Sequence, residues 1–254
     1  MDLNARRETG LSKVPEVTLI FWIIKVAATT LGETGGDAVS MSMKLGYLLA
    51  SGIFAAIFVV TVSAQIGAKR FHPWLYWFTI VATTTLGTTL ADFADRSLGI
   101  GYAGGSSLLL ALLLGSLFIW YRTLGSISIN TINSPRTEMF YWLTIMFSQT
   151  LGTALGDWTA DSAGLGYVGG ALVFSALLAV IVGLYYWTRL SRTLLFWAAF
   201  VLTRPLGAVV GDFLDKPVTA GGLALSRYSA SAVLLVFIAG CIVIFPQRAA
   251  KAAH

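Results

Sequence analysis

Cysteine, histidine and charge are all scarce in this chain, and each scarcity closes off a class of function. Cys241 is the only cysteine, which excludes a disulfide framework and a thiolate metal cluster. The two histidines, His72 and His254, cannot make a bis-histidine haem site of the membrane-cytochrome kind. Only 11% of the 254 residues are charged, where a soluble domain carries about 25%. What fills the chain instead is apolar: 56% of residues are hydrophobic and the mean hydropathy is +0.77. Long apolar stretches with few charges read as transmembrane helices. Eight are apparent, roughly 17–37, 46–66, 74–94, 102–121, 139–159, 167–187, 193–213 and 226–246. The expected fold is therefore all-α, a polytopic membrane protein whose first partner is the lipid bilayer.

Met1 to Lys13 is polar and mixed in charge, and the apolar run after it has no small-residue cleavage site in the usual place. It reads as a retained first span. The net charge of +5 is not a nucleic-acid signal, because the bases are spread over loops. One set of loops and termini holds Arg6, Arg7, Lys13, Lys69, Arg70, Arg122, Arg136, Arg189, Arg192, Arg248 and Lys251; the other holds Lys44, Arg96, Lys216 and Arg227. Eleven against four predicts both termini on the cytoplasmic side of a bacterial inner membrane, in agreement with an even number of spans.

The chain repeats itself four times. The pairs Leu31-Gly32, Leu86-Gly87, Leu151-Gly152 and Leu206-Gly207 each stand nine residues after a Trp (Trp22, Trp77, Trp142, Trp197) and six before an Asp (Asp37, Asp92, Asp157, Asp212). The pairs are 55, 65 and 55 residues apart, and the extra length falls in 122–136, the natural linker between halves 1–126 and 127–254 of a single membrane domain. Each copy holds two spans, so successive copies enter the membrane in the same direction, a parallel-repeat arrangement known among transporters. An aromatic pair opens each copy (Phe21-Trp22, Tyr76-Trp77, Tyr141-Trp142, Phe196-Trp197), read as rings at the headgroups. The pairs Gly32/Gly36, Gly87/Ala91, Gly152/Gly156 and Gly207/Gly211 let helix backbones approach closely, which would gather the four aspartates. Gly46-Tyr47, Gly101-Tyr102 and Gly166-Tyr167 suggest a tight return into the second helix.

Each Asp has a second acid three or four residues away: Glu33/Asp37, Asp92/Asp95, Asp157/Asp161, Asp212/Asp215. On a continuing helix such pairs share a face and repel. A proton, a metal ion or a basic neighbour must neutralise them. Eight of the twelve acids lie here, and an acid within a span costs about 2.5–3.5 kcal/mol at mid-helix, which marks it as functional. The first Asp falls some 20 residues along its span, about 30 Å at 1.5 Å per residue, so the acids belong to an outward vestibule or an occluded site in the outer leaflet. With threonines 29, 30, 34, 84, 85, 88, 89, 150 and 153 around them, the ligands are oxygen only. That suits Mg²⁺, Mn²⁺, Ca²⁺, Na⁺ or H⁺ and fits Zn²⁺ poorly. Exposed loop acids balanced by Lys44, Arg96 and Lys216 are the competing reading. Two bases lie within spans. Lys25 is read as a counter-ion to Glu33 or a side chain snorkelling to the headgroups. Arg204 is read as paired with a carboxylate or freed carbonyl, before Pro205, which breaks the helix.

The LG-x₄-D signature and the W-x₈-LG spacing resemble, over essentially the whole chain, a bacterial family of uncharacterised multi-span membrane-anchored proteins with four related two-helix repeats. The resemblance implies an inner-membrane protein and no activity. Glu33-Thr34-Gly35-Gly36-Asp37 also resembles the E-x-G-D repeat of cation/proton exchangers for Ca²⁺ and Mn²⁺, departing by one residue and occurring once.

The expectation is a secondary transporter or exporter of a small hard cation, coupled to protons, with Mn²⁺, Mg²⁺ or Ca²⁺ as substrate and no resident cofactor. Its site residues are Glu33, Asp37, Asp92, Asp95, Asp157, Asp161, Asp212 and Asp215, with Lys25 and Arg204 as ion-coupling or counter-charges. A non-transporting scaffold or ligand-binding protein is the alternative. Leu155-Gly156-Asp157 is also similar to the Gly-Asp of intramembrane aspartyl proteases, but that chemistry needs one unique pair, so an enzyme is not expected. A homo-oligomer is compatible with all of these.

Overall fold

The structure, a computed structural model, describes residues 12–251; Arg6, Arg7 and His254 lie outside it. It is all-α, with eight α-helices and no strand among the described residues: α1 (Leu19–Asp37), α2 (Gly46–Gly67), α3 (Pro73–Asp92), α4 (Tyr102–Leu124), α5 (Pro135–Asp157), α6 (Gly166–Trp187), α7 (Arg192–Asp215) and α8 (Arg227–Ile244). Local chemistry fixes the starts. Thr18 caps α1 by accepting from the Phe21 amide, Ser134 and Thr137 form a capping box ahead of Pro135 on α5, and Pro73 opens α3.

The odd helices form an inner ring in which α1, α3, α5 and α7 each pack on the next and α7 returns to α1. The even helices form an outer layer, shifted by one copy: α2 packs on α3, α4 on α5, α6 on α7, and α8 on α1. The small-residue stripes set the inner packing. Gly32 lies against Thr84, Gly87 against Gln149, Gly152 against Arg204 and Gly207 against Thr29, each glycine meeting the side chain two residues before the next copy's Leu. Equivalent residues meet at equivalent heights, so the four inner helices run parallel.

Five helices (α2, α4, α6, α7, α8) are long and apolar enough to cross a membrane; α1, α3 and α5 match them in length. Those three carry the threonines and acids of the interior, a polarity they tolerate because the outer helices stand between them and lipid.

Three local expectations change. The α-helix does not continue past the first Asp in copies one to three. It widens into a π turn over 38–42, 93–97 and 158–162, with bonds from Met43 N to Ala38 O, Leu98 N to Phe93 O and Ala163 N to Trp158 O. The helix does continue through Pro205, from Arg192 to Asp215, with the proline ring packed against Gly152 of α5. The aromatic pairs are not a headgroup belt. Phe21, Tyr76, Trp77, Tyr141, Trp142 and Trp197 are buried, and only Trp22 faces outward, into an apolar groove with Val26, Leu234 and Phe237.

The end where residues 12–16 and 248–250 lie is sealed by three segments. Lys13 N donates to Ile132 O in the linker, Ser12 Oγ to Ile129 O, and Ala250 N to Val14 O beside a Pro15–Ala249 bridge. The turn glycines behave as their spacing predicts. Gly46, Gly101 and Gly166 have φ of 74°, 77° and 64°, where only glycine is unstrained.

Candidate functional site

Residues spaced by one turn on each inner helix face the bundle axis and stack as layers. Nearest the termini is a collar of eight rings. The first ring of each copy packs on the tryptophan of the next: Phe21 on Trp77 (5.4 Å between centroids), Tyr76 on Trp142 (5.7 Å), Tyr141 on Trp197 (6.1 Å), and Phe196 on Trp22 (5.8 Å), closing the circle. The Tyr76 and Tyr141 hydroxyls share a hydrogen bond of 2.6 Å.

One layer further in stand Lys25, Ile80, Ile145 and Phe200, then Thr29, Thr84, Gln149 and Arg204, then Glu33, Thr88, Thr153 and Ala208. Arg204 ties the last two layers together. Its Nη2 donates to Glu33 Oε2 (3.0 Å), Thr88 Oγ1 (2.6 Å) and Thr153 Oγ1 (2.5 Å), one residue from each of the other three copies at the same repeat position. The fourth residue of that layer is Ala208, on Arg204's own helix, small enough to leave the guanidinium space.

The four aspartates close the far end, all buried. Two bases bridge them in pairs. Arg96 holds Asp92 (2.8 Å) and Asp157 (3.4 Å); Lys216 holds Asp37 (2.6 Å) and Asp212 (3.0 Å). Arg227 adds contacts to Asp37 (3.6 Å) and Asp215 (2.9 Å). Within this ring Glu33, Asp37 and Asp212 each offer an oxygen within 4.8 Å of the others, all three buried.

The comparisons with known proteins follow the same fourfold division. The family described as Repeat of Unknown Function (DUF347) matches four times, over residues 20–71, 75–126, 140–191 and 195–246. This chain belongs to the DUF347 repeat family. No curated protein and no solved structure matches it.

Each DUF347 repeat contributes one inner helix, one residue to every layer of the axis, and one buried aspartate. The second acids are not equivalent across the repeats. Glu33 and Asp215 are buried, Asp95 is half-buried against Gly105 of α4, and Asp161 is exposed, because the π turn swings the chain outward after Asp92 and Asp157. The repulsion among the aspartates is relieved by basic neighbours, two of which, Arg96 and Lys216, the loop-acid reading had already named. That reading fails for Glu33, Asp37, Asp92, Asp157, Asp212 and Asp215, which are buried, and holds for Asp161, which is exposed.

Lys25 is the largest departure from expectation. Glu33 pairs with Arg204 across the bundle, and Lys25 neither reaches Glu33 nor snorkels. It is fully buried beneath the aromatic collar, with Nζ 4.2 Å from the centroid of the Phe200 ring. Sequence reasoning did not single out Arg227, Gln149 or the bridging role of the bases. A signal existed for Arg96 and Lys216, which stand four residues after Asp92 and Asp212 in the second and fourth DUF347 repeats only.

Proposed function

We propose that this DUF347 protein is a secondary transporter of a hard cation, a divalent ion such as Mn²⁺ or Mg²⁺, coupled to protons, in a bacterial inner membrane with both termini cytoplasmic. The observation that carries the reading is the buried set Glu33, Asp37 and Asp212, three oxygen ligands within 4.8 Å of one another at the mouth of a polar axis. Oxygen ligands in that number suit a hard cation. The same set explains how the site stays closed without its substrate. Lys216 occupies it as an internal cation, and at 12% side-chain exposure it stands at the edge of the bundle, where it can withdraw as an ion arrives. Exchange of one cation for another avoids leaving buried carboxylates uncompensated, a state that costs several kcal/mol. An intramembrane protease is disfavoured on similar grounds. Its two aspartates share a proton, whereas Arg96 stands between Asp92 and Asp157.

The test is flux in reconstituted vesicles, with Mn²⁺, Mg²⁺ and Ca²⁺ each offered with and without a pH gradient. Wild type is expected to move at least one of them, and Asp37→Asn and Asp212→Asn to abolish the flux while eluting as folded protein. Unaltered flux in both variants, or none in wild type for any ion, ends the reading. The bridging of the four buried aspartates by Arg96 and Lys216 favours one alternative, a non-transporting ligand-binding or scaffold protein, and saturable metal binding without flux would select it.

A further inference from the structure

Among the described residues the buried bases have acidic partners, with one exception. Lys13 meets Glu138 at 2.6 Å, Arg204 meets Glu33, Lys216 meets Asp37 and Asp212, and the more exposed Arg96 and Arg227 are likewise paired. Among the described residues Lys25 has no acid beside it, and none accepts a hydrogen bond from its Nζ. Its one polar interaction is with the face of Phe200. A cation–π contact is worth roughly 2 kcal/mol when desolvated, well short of the several kcal/mol needed to hold an ion out of water.

The layer one turn above, about 6 Å along the axis at 1.5 Å per residue, holds further buried polar atoms without protein partners. These are Thr84 Oγ1, both amide atoms of Gln149, and Nε and Nη1 of Arg204. Thr84, Gln149 and Arg204 occupy the same repeat position on three different inner helices, so they form one layer around the axis, each packed against a glycine of the preceding inner helix. The inventory is lopsided. Lys25, Thr84, the Gln149 amide nitrogen and Arg204 supply donors, and Gln149 Oε1 is the single pure acceptor. Arg204 has Glu33, and Lys25 has no carboxylate within ion-pair distance among the described residues. Clustered buried donors without protein acceptors are the complement of an anion.

We propose that this midplane layer binds one small monovalent anion, of halide or carboxylate size, between Lys25 and Arg204 with Thr84 and Gln149 completing its shell. The site is separate from the acid ring, lies on the other side of the Arg204–Glu33 pair, and does not require that the protein transport a cation. The aromatic collar shields it from the end that carries the termini.

The experiment uses the full chain, purified and dialysed into gluconate, an anion much larger than chloride or formate. Anion released on denaturation is counted by ion chromatography, and the unfolding temperature is then followed as chloride or formate is added. Wild type is expected to retain about one anion per chain, or to gain stability saturably on addition, as a ligand bound only to the folded state requires. A response to chloride alone assigns a halide, and to formate alone a carboxylate. Lys25→Met keeps the length of the side chain among Ile80, Ile145 and Phe200, and it is expected to hold no anion and show no response. Gln149→Leu, which leaves both charges in place, is expected to need about tenfold more anion, a loss of roughly 1.4 kcal/mol, and it decides the matter should Lys25→Met not fold. Wild type with neither retained anion nor response overturns the proposal, as does a Lys25→Met protein that responds like wild type.

Discussion

Arg204 shows how much of the interior rests on one side chain. It joins four helices through a single nitrogen, and Glu33 is its only acidic partner. Removing one member of a buried ion pair strands the other, at a cost of about 3–5 kcal/mol, whereas removing both is often close to neutral. Arg204→Met is therefore expected to lower stability by about that amount, and the double change Arg204→Met/Glu33→Leu by clearly less than the single one, as measured by denaturant titration in detergent. A double variant as unstable as the sum of its parts would show that the two residues act separately. That Arg204 pairs with a carboxylate was legible from its depth in an apolar span. Which carboxylate was not. Along the chain Lys25 lies two turns from Glu33 and looks like its counter-ion, but packing across the glycine stripes brings α7 against α1 and gives Arg204 the contact. The consequence for Lys25, an interior amine with no acid beside it, is visible only once all four helices are in place.

At the scale of elements, the repeated small residues were the most reliable signal, because lipid offers no hydrophobic drive and close backbone packing must do the work. They do so unequally. A methyl on Gly87 would meet backbone atoms of Gln149 and Thr150 at 2.9–3.0 Å, which cannot move without shifting α5; one on Gly35 meets only side-chain atoms at 3.7–3.9 Å. Gly87→Ala is expected to cost about 1–3 kcal/mol. Gly35→Ala is expected to be neutral or stabilising by up to about 1 kcal/mol through helix propensity. Thermal unfolding of the two proteins side by side checks this, and equal midpoints would mean that the stripe does not set the helix approach. A second element-scale test sits in the first return turn. Lys44 has φ of 57° where the aligned positions of copies two and three are Gly99 and Gly164, with φ of 68° and 69°. The left-handed region costs a non-glycine residue about 1–2 kcal/mol, and glycine's extra freedom in the unfolded chain returns part of that. Lys44→Gly should thus raise the unfolding midpoint slightly, and a lower midpoint would indicate that Lys44 makes a contact worth more than its strain. The aromatic pairs were misplaced by sequence because a ring near the end of a span looks the same whether it faces lipid or the axis. What decides is the seal of linker and termini beneath it, and that is a tertiary fact.

For the whole molecule the decisive property is closure. The outer helix of every copy covers the next copy's inner helix, and the last covers the first, so no copy is structurally terminal. The charges follow a coarser symmetry. Bases stand four residues after the aspartate in copies two and four, and each bridges to a copy in the other half, Arg96 to Asp157 and Lys216 to Asp37. Fourfold packing with twofold charge is what a duplication of a duplication leaves behind. The four copies were legible in spacing alone, but the order of the ring was not, because consecutive copies could as well have stacked in a row. A ring without a structural beginning predicts tolerance to moving the chain ends. Residues 12–16 and 248–250 already pair backbone to backbone, so the two ends of the described segment lie together and a short flexible linker can join them. New ends between Arg189 and Leu190 fall in an exposed stretch joining α6 to α7, and they leave an even number of helices, so each inner helix keeps its direction. This permutant is expected to elute as the same species as the native chain and to unfold within a few degrees of it, since every layer of the axis is rebuilt from the same residues. A permutant that aggregates or loses cooperative unfolding would show instead that the α8–α1 contact forms only after the other three, and that the chain does have a first repeat.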